Sequence, residues 1–173
     1  YCGLTHRELV EDAVRAQDAL EKVALTFKPD AIFGIWNSAA PAIALGDRMT
    51  KWPGYGLPDN GSFQFEEHEF MKAVDYGAFL RDPSDWVLRT YLPRAFSELA
   101  GLGKMPPVGM FAFGHYNLGN LPFFTAPPVQ QAILALNKAA NIQAASGAAM
   151  FDSMHRMAAL GFTFVELEGA SEG

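Results

Sequence analysis

The sequence is short of cysteine and of basic residues, and both shortages exclude functions. Cys2 is the only cysteine among the 173 residues, so the chain has neither an intrachain disulfide nor a zinc cluster built from cysteines. A lone cysteine also favours a reducing, cytoplasmic location. Lys and Arg total 13 against 19 Asp and Glu, a net charge of −6. Because nucleic-acid binding needs a basic surface to neutralise phosphates, we expect no nucleic-acid partner.

Long apolar runs and several standard motifs are also missing from the sequence. No stretch approaches the roughly 20 apolar residues of a membrane span, and no leader resembling a signal peptide is visible, so we expect no membrane partner. The sequence contains no Gly-rich phosphate loop, no GxSxG nucleophile elbow and no HExxH zinc motif. Half of the residues are hydrophobic and 18% are charged, a globular composition that we interpret as one domain over residues 1–173.

Capping signals and apolar periodicity predict three main helices. Thr5 with Glu8 three residues later forms a capping box, and apolar residues then recur at steps of three and four as far as Phe27. Ser84 is the predicted cap of a second helix, which Pro93 would kink or end. The third helix is Ala-rich and covers about 129–160, with a break expected at Gly147.

Short apolar runs predict three strands, at residues 31–36, 108–113 and 162–167. The first does not alternate and is predicted to be buried on both faces, and the second is also predicted to be buried. Strands that alternate with helices predict an α/β fold with a parallel sheet, either doubly wound or a (β/α)₈ barrel. A complete barrel takes about 250 residues, and this pattern opens on a helix and stops after a strand. We therefore expect an incomplete set of three or four βα units at most, with a complete flavodoxin-like domain as the alternative.

Parallel α/β folds bind ligands at the carboxyl ends of their strands, which directs attention to three short segments. His115 follows the second predicted strand, where its imidazole could transfer protons, ligate a metal, or simply bond to backbone. Asn37 follows the first strand and could orient a substrate or cap the next helix. Glu166 and Glu168 share strand parity, so both could serve acid–base chemistry, although such residues are more often solvated or salt-bridged.

A long loop rich in Gly, Pro and aromatic residues is predicted over residues 50–62. The Trp, Tyr and Phe side chains of residues 52–70 would suit a lid over a flat ligand, or equally a small apolar cluster beneath a long loop. The acidic segment that follows, residues 66–69, has no standard metal-ligand spacing, and we expect it to form a solvated face.

The run from Trp52 to Asp59, followed by Phe63-Gln64-Phe65 and Glu69-Phe70-Met71, resembles a branch of the uroporphyrinogen decarboxylase superfamily. The stretches at 76–85 and 91–94 carry the same resemblance, which extends from about residue 30 to the end of the chain. This branch contains divergent decarboxylases that also resemble cobalamin-dependent methyltransferases. The resemblance implies a (β/α)₈ barrel with its site at the carboxyl ends of the strands.

The chain departs from the decarboxylase pattern in two ways. Nothing in it matches the Arg-rich substrate motif that follows the first strand of those enzymes, and Asn37 lies near the position of their essential Asp. An amide supplies no negative charge to stabilise a protonated pyrrole. The resemblance therefore favours corrinoid-linked methyl transfer over porphyrinogen decarboxylation.

The resemblance also implies cofactors, partners and site residues. The methyltransferase branch uses zinc and a corrinoid, with zinc ligands in a later part of the barrel that this stretch does not contain. The expected partners are a small-molecule or tetrapyrrole substrate and a corrinoid protein. The candidate catalytic residues are His115 and Asn37, and the candidate substrate or cofactor contacts are Trp36, Tyr116, Glu168, Trp52 and Tyr55. The alternative is a relative that binds a tetrapyrrole or a corrinoid protein without turnover.

Overall fold

The computed structural model describes residues 2–33, 38–111 and 119–165. The helices of this part of the chain are α1 (His6–Glu11), α2 (Ala13–Phe27), α3 (Ala40–Ala44), α4 (Tyr76–Arg81), α5 (Pro83–Trp86), α6 (Leu92–Ala95), α7 (Pro122–Thr125) and α8 (Pro127–Ala159). A π-helical turn covers Val87–Tyr91, and 3₁₀ helices cover Ala73–Asp75, Ser97–Lys104 and Val108–Phe111. The strands are β1 (Ala31–Phe33), β2 (Thr50–Pro53), β3 (Gly56–Leu57), β4 (Gln64–Phe65) and β5 (Thr163–Val165).

The chain divides into two compact units. Unit 1 contains the described residues of 1–40, 52–62 and 141–173, and unit 2 contains those of 41–51 and 63–140. In unit 2, β2 and β4 pair antiparallel, with Thr50 opposite Phe65. In unit 1, the end of β2 pairs with β3. The predicted loop at 50–62 therefore contains two short strands at its beginning.

The amino-terminal capping box is confirmed, but the helix that follows it is interrupted. The hydroxyl of Thr5 accepts a hydrogen bond from the backbone N–H of Glu8, whose carboxylate accepts one from the N–H of Thr5. Asp12 is extended, with φ −116° and ψ 98°, and its carboxylate accepts a bond from the N–H of Arg15 at 3.1 Å. A side chain that caps in this way begins a new helix. The single predicted helix is therefore two, α1 and α2.

Parallel pairing of β1 with β5 organises unit 1. Ala31, Ile32 and Phe33 lie opposite Thr163, Phe164 and Val165. Ile32 is buried together with Ala24 and Met157, so a residue of α2 and one of α8 cover this strand pair. The first and third predicted strands and their parallel direction are confirmed over these residues. The closed barrel stays a prediction.

The second predicted strand is wrong over Val108–Phe111, which form a 3₁₀ helix. Val108 is 39% exposed and Met110 46% exposed, whereas a strand buried on both faces would hide both side chains. The N–H of Val108 donates to the carboxylate of Asp85 at 2.9 Å. Because this donor is taken by a side chain, it is not free for a strand ladder. The rest of the predicted strand, residues 112 and 113, lies outside the described residues.

Helix α8 is continuous over 33 residues, so the break predicted at Gly147 is wrong. The backbone there is not in the left-handed region, and nothing lies within 4 Å of a Cβ added at this glycine. A glycine inside a helix costs only about 1 kcal/mol relative to alanine. The Ala-rich flanking sequence offsets that cost.

Proline and aspartate shape the helical segment at residues 82–95 in unit 2. Asp82, rather than the predicted Ser84, caps α5 by accepting from the N–H of Asp85 at 3.0 Å. Pro93 has no N–H, and its ring would clash with the carbonyl four residues earlier in a regular helix. The π-helical turn removes this clash, and the N–H of Leu92 bonds to the carbonyl of Val87, five residues back. The kink predicted at Pro93 thus takes the form of a widened turn.

The core of unit 2 joins the 3₁₀ helix at 97–104 to the first turns of α8. Its buried residues are Leu99, Leu102, Met105, Val129 and Ala132. The backbones approach closely at Gly101, where a Cβ would lie 1.8 Å from the carbonyl oxygen of Pro128. Any larger residue at position 101 would therefore force the two segments apart.

A nearly buried ion pair joins two further segments of unit 2. Asp75 is 8% exposed, and its carboxylate accepts from Arg94 at 2.5 and 3.1 Å and from the N–H of Lys72 at 2.7 Å. Arg94 also donates to the carbonyl of Phe70 at 2.8 Å. The hydrogen bonds from Arg94, and then that from Lys72, lower the pKa of Asp75 below the ordinary value of 3.8.

We predict that Asp75 contributes to unfolding of the protein in acid. A carboxylate whose pKa is depressed by folding stabilises the native state above its unfolded-state pKa, and that contribution is lost as the pH falls from about 4 through the folded-state pKa. In Asp75→Asn, the free energy of unfolding should be lower at pH 7 and should fall less steeply below about pH 4. Urea unfolding at a series of pH values measures both effects. Glu67→Gln, which changes an exposed carboxylate, is the control and should retain the wild-type slope.

A second prediction concerns Lys28, which ends α2 in the left-handed conformation with φ 49° and ψ 56°. Left-handed backbone costs a non-glycine residue about 1–2 kcal/mol. Lys28→Gly should therefore stabilise the protein by about 1 kcal/mol. The same substitution at Lys138, an exposed interior position of α8, should instead cost about 1 kcal/mol. Thermal unfolding of both variants checks the opposite signs, and destabilisation by Lys28→Gly would contradict the prediction.

Candidate functional site

Two of the three strands whose ends were predicted to form the site are paired in the structure. Phe33 ends β1 and Val165 ends β5, and these two residues are register partners in the parallel pair. From these ends the chain continues into the segments that contain Asn37 and Glu168. The predicted site residues Trp36, Asn37, His115, Tyr116, Glu166 and Glu168 lie outside the described residues. Their roles stay predictions.

Tyr55, one of two predicted contacts that the structure describes, is bound to helix α1. Its hydroxyl donates to Oε1 of Glu11 at 2.5 Å, and the guanidinium carbon of Arg7 lies 5.3 Å from its ring centroid. The hydrogen bond to Glu11 is the main cause of a raised pKa for the Tyr55 phenol, with burial and the charge of Glu11 acting in the same direction. Tyr55 therefore keeps its proton at neutral pH.

Arg7 is the centre of the contacts that hold this loop. Its Nε donates to Glu11 at 3.0 Å, its Nη1 lies 3.7 Å from Oδ1 of Asp59, and its backbone N–H donates to the carbonyl of Asp59 at 2.9 Å. The hydrogen bond to Glu11 is the first cause of a raised Arg7 pKa. We call Arg7, Glu11, Tyr55 and Asp59 the Arg7 cluster.

Gly54 is required for the approach of the loop to Arg7. Its φ is +78°, and a Cβ added there would lie 2.4 Å from Cδ of Arg7. A side chain at position 54 would be both strained and in collision with Arg7. At the far end of the loop, Nδ1 of His6 lies 3.1 Å from the carbonyl oxygen of Gly61. The loop is thus fixed to α1 at several points along its length.

The Arg7 cluster changes how the predicted lid can act. Tyr55 is 43% exposed, so one part of its ring is available to a ligand while its hydroxyl is engaged by Glu11. Trp52, the other described candidate, lies in β2. The turn after it is closed by a hydrogen bond from the N–H of Tyr55 to the carbonyl of Trp52 at 2.8 Å. Contact of either residue with a substrate stays a prediction. A lid movement that releases Tyr55 would have to break its bond to Glu11.

Two of the four residues of the Arg7 cluster, Arg7 and Glu11, could be predicted from the sequence to interact. Arg7 and Glu11 are spaced i,i+4 in a predicted helix, a pattern that indicates an ion pair. Nothing in the sequence indicated that Tyr55 and Asp59 would join them, because both lie more than forty residues further along the chain. Our sequence reasoning therefore missed the cluster.

The acidic segment at 66–69 agrees with the expected solvated face. Glu67, His68 and Glu69 are exposed. Glu66 pairs with Lys51 and lies 3.4 Å from Nε2 of His68. The hydrogen bond from Lys51 is the first cause of a lowered Glu66 pKa. Across the part of the chain that the structure describes, no group of three or more His, Cys, Asp or Glu side chains is placed to hold a metal ion.

Comparison with known proteins supplies no relative. No protein-family model matches the chain. No curated protein and no solved structure gives a significant match either. Within the described ranges, no helix is both long enough and apolar enough to cross a membrane.

We predict that the Tyr55 hydroxyl holds the loop of residues 54–61 against α1. Tyr55→Phe removes one partly exposed hydrogen bond, which typically contributes about 0.5–1.5 kcal/mol. Amide hydrogen exchange at residues 54–61 should accelerate by up to about tenfold, while exchange in the core of unit 2 should not change. Tyr76→Phe, which alters an exposed tyrosine on α4, is the matched control. Unchanged exchange at residues 54–61 in Tyr55→Phe would show that the bond does not hold the loop.

Proposed function

We propose that this chain is part of a (β/α)₈ barrel enzyme similar to the uroporphyrinogen decarboxylase superfamily, and that it takes part in corrinoid-linked methyl transfer in the cytoplasm. The observation that carries the proposal is the parallel pairing of β1 with β5, each preceded by a helix. This is the arrangement of neighbouring βα units, whose carboxyl ends are the usual place for a ligand. The residues that carry the family resemblance supply the choice of chemistry.

His115 and Asn37 are the residues to which we assign the chemistry. An imidazole titrates near neutral pH and can donate or accept a proton at the reacting group. An amide offers both a donor and an acceptor, so Asn37 would orient substrate or cofactor. Trp36, Tyr116 and Glu168 would line the same mouth. The loop of residues 52–65, which contains Trp52 and Tyr55, would cover this mouth, with Tyr55 held through the Arg7 cluster.

Zinc and a corrinoid belong to the proposal only through the resemblance. The described residues do not fit a zinc site, since no group of three potential ligands is assembled among them. We therefore assign no zinc ligand to them and route no chemical step through a metal. Any zinc would be held by other residues, and the corrinoid would arrive on a separate protein or as a free cofactor.

Two alternatives use the same surface. Porphyrinogen decarboxylation would need a negative charge beside the pyrrole nitrogens, which Asn37 does not supply. A catalytically inactive relative would bind a tetrapyrrole or a corrinoid protein without turnover, and the amide at position 37 suits that role as well. Substitution at this position therefore separates the three functions.

The experiment is a methyl-transfer assay with methylcobalamin and a thiol acceptor, with zinc supplied, followed by the change in the corrinoid absorption spectrum. We expect turnover by the wild type and a decrease of about 10²–10⁴-fold in His115→Ala, the range typical of a lost general acid or base. Asn37→Ala should raise KM more than it lowers kcat, because an orienting residue acts mainly on binding. His155→Ala, at an exposed position on α8, is the control and should retain full activity.

Two parallel measurements decide between the alternatives. Release of CO₂ from a porphyrinogen by the wild type, without methyl transfer, would favour decarboxylation. Decarboxylation that appears only in Asn37→Asp would indicate a decarboxylase site that lacks its charge. Tetrapyrrole binding without either reaction would favour the binding relative. Full activity in both His115→Ala and Asn37→Ala would remove the site assignment.

A further inference from the structure

A depression of about 490 Å³ lies in unit 1 at the amino ends of β1 and β5. Its lining comes from the last turn of α2 and the segment before β1, which include Leu25, Lys28 and Asp30, and from Leu160 to Phe162 before β5. The depression is open to solvent, and most of the residues that line it are exposed. The depression is at the end of these strands opposite to the one from which the chain continues toward Asn37 and Glu168.

Three apolar side chains line the depression beside its polar groups. Phe162 packs against the buried cluster of Ala24, Ile32 and Met157, which fixes its position. Leu25 and Leu160 line it while remaining 48% and 61% exposed. An apolar group placed between these three side chains would remove hydrocarbon surface from water on both sides of the contact.

Opposite charges stand two residues apart at the edge of the depression. Lys28 and Asp30 both line it, on either side of Pro29. Among the residues that the structure describes, neither side chain has an ion-pair or hydrogen-bond partner. Each is therefore available to a ligand of the opposite charge. A ligand that carries both charges could satisfy both side chains together.

The backbone at Lys28 is a second and independent observation. This is the only non-glycine residue with a positive φ among the described residues. Glycine would adopt φ 49° without strain and is the usual residue in this position at the end of a helix. Lys28 keeps this strained backbone although glycine would relieve it, and its side chain lines the depression. A role for the lysine side chain in binding a ligand would account for its presence at this position.

We propose that the depression binds a small zwitterion with an apolar body, of the class of leucine or phenylalanine. The ligand carboxylate would pair with Lys28 and its ammonium group with Asp30. Its side chain would rest on Leu25, Leu160 and Phe162. The proposal does not depend on methyl transfer, because it uses neither the residues nor the strand ends of the candidate catalytic site.

The test uses three probes that share a phenyl ring. L-phenylalanine carries both charges, 3-phenylpropanoate only the carboxylate and phenethylamine only the ammonium group. Each is titrated into the full chain labelled with ¹⁵N, and backbone amide shifts are followed. We expect shifts at residues 25–30 and 160–162, and tighter binding of phenylalanine than of either single-charge probe.

Variants at the two charged positions test the assigned contacts. Because exposed ion pairs contribute little, Lys28→Gln and Asp30→Asn should each weaken phenylalanine binding only about two- to fivefold. Lys28→Glu should change the order of affinities, because the new carboxylate would repel the carboxylate of a ligand. Phenethylamine should then bind most tightly of the three probes. Lys138→Gln is the matched control on α8 and should leave all three affinities unchanged.

Lys28→Gly separates ligand binding from folding. It should lose the preference for a carboxylate while raising Tm by about 2–4 °C, so that the loss of binding cannot be attributed to unfolding. The proposal would be overturned by equal affinities for the three probes, by an unchanged order of affinities in Lys28→Glu, or by shifts confined to other parts of the chain.

Discussion

The parallel pairing of β1 with β5 is the interaction on which unit 1 depends. A pair of parallel strands is stable only when its faces are covered, because its apolar side chains point both ways. Ala24 of α2 and Met157 of α8 provide cover at Ile32. The pairing also determines which residues become neighbours at each end of the strands. One end leads into the candidate catalytic segments, and the other forms the depression beside Lys28.

Elsewhere, arginine–carboxylate pairs hold segments that have little regular structure of their own. Asp75 joins Arg94 and the N–H of Lys72, and Asp85 joins Arg89 and the N–H of Val108. In both cases one carboxylate satisfies a guanidinium and a backbone donor at once. Charge-assisted hydrogen bonds of this kind are stronger than neutral ones. They give short helical pieces a definite position that propensity alone would not provide.

The functional proposals have different foundations. Methyl transfer rests on a family resemblance and on the strand pairing, and comparison with known proteins adds nothing to either. The zwitterion site rests on the geometry and charge of described residues. Because the two sites share no residue, the result of an experiment at one does not determine the result at the other.

The sequence by itself determined the features that depend on near neighbours. The capping box at Thr5, the two apolar strands at 31 and 163, and the disturbance at Pro93 were all predictable, because each follows from residues within a few positions of one another. The same reasoning predicted a site at the strand ends, which stays a prediction. It could not show whether Asn37 and His115 meet there.

Only the tertiary structure decided the features that depend on distant partners. Val108 resembled the start of a strand, but its N–H is taken by Asp85, which lies 23 residues earlier. Tyr55 resembled a lid residue, but Glu11, 44 residues away, fixes its hydroxyl. The depression forms where the segment after α2 meets the segment before β5, and these two segments are far apart in the sequence. Local sequence determines propensities and caps, whereas the partner of a hydrogen-bond donor or of a charged side chain is set by which segments the fold brings together.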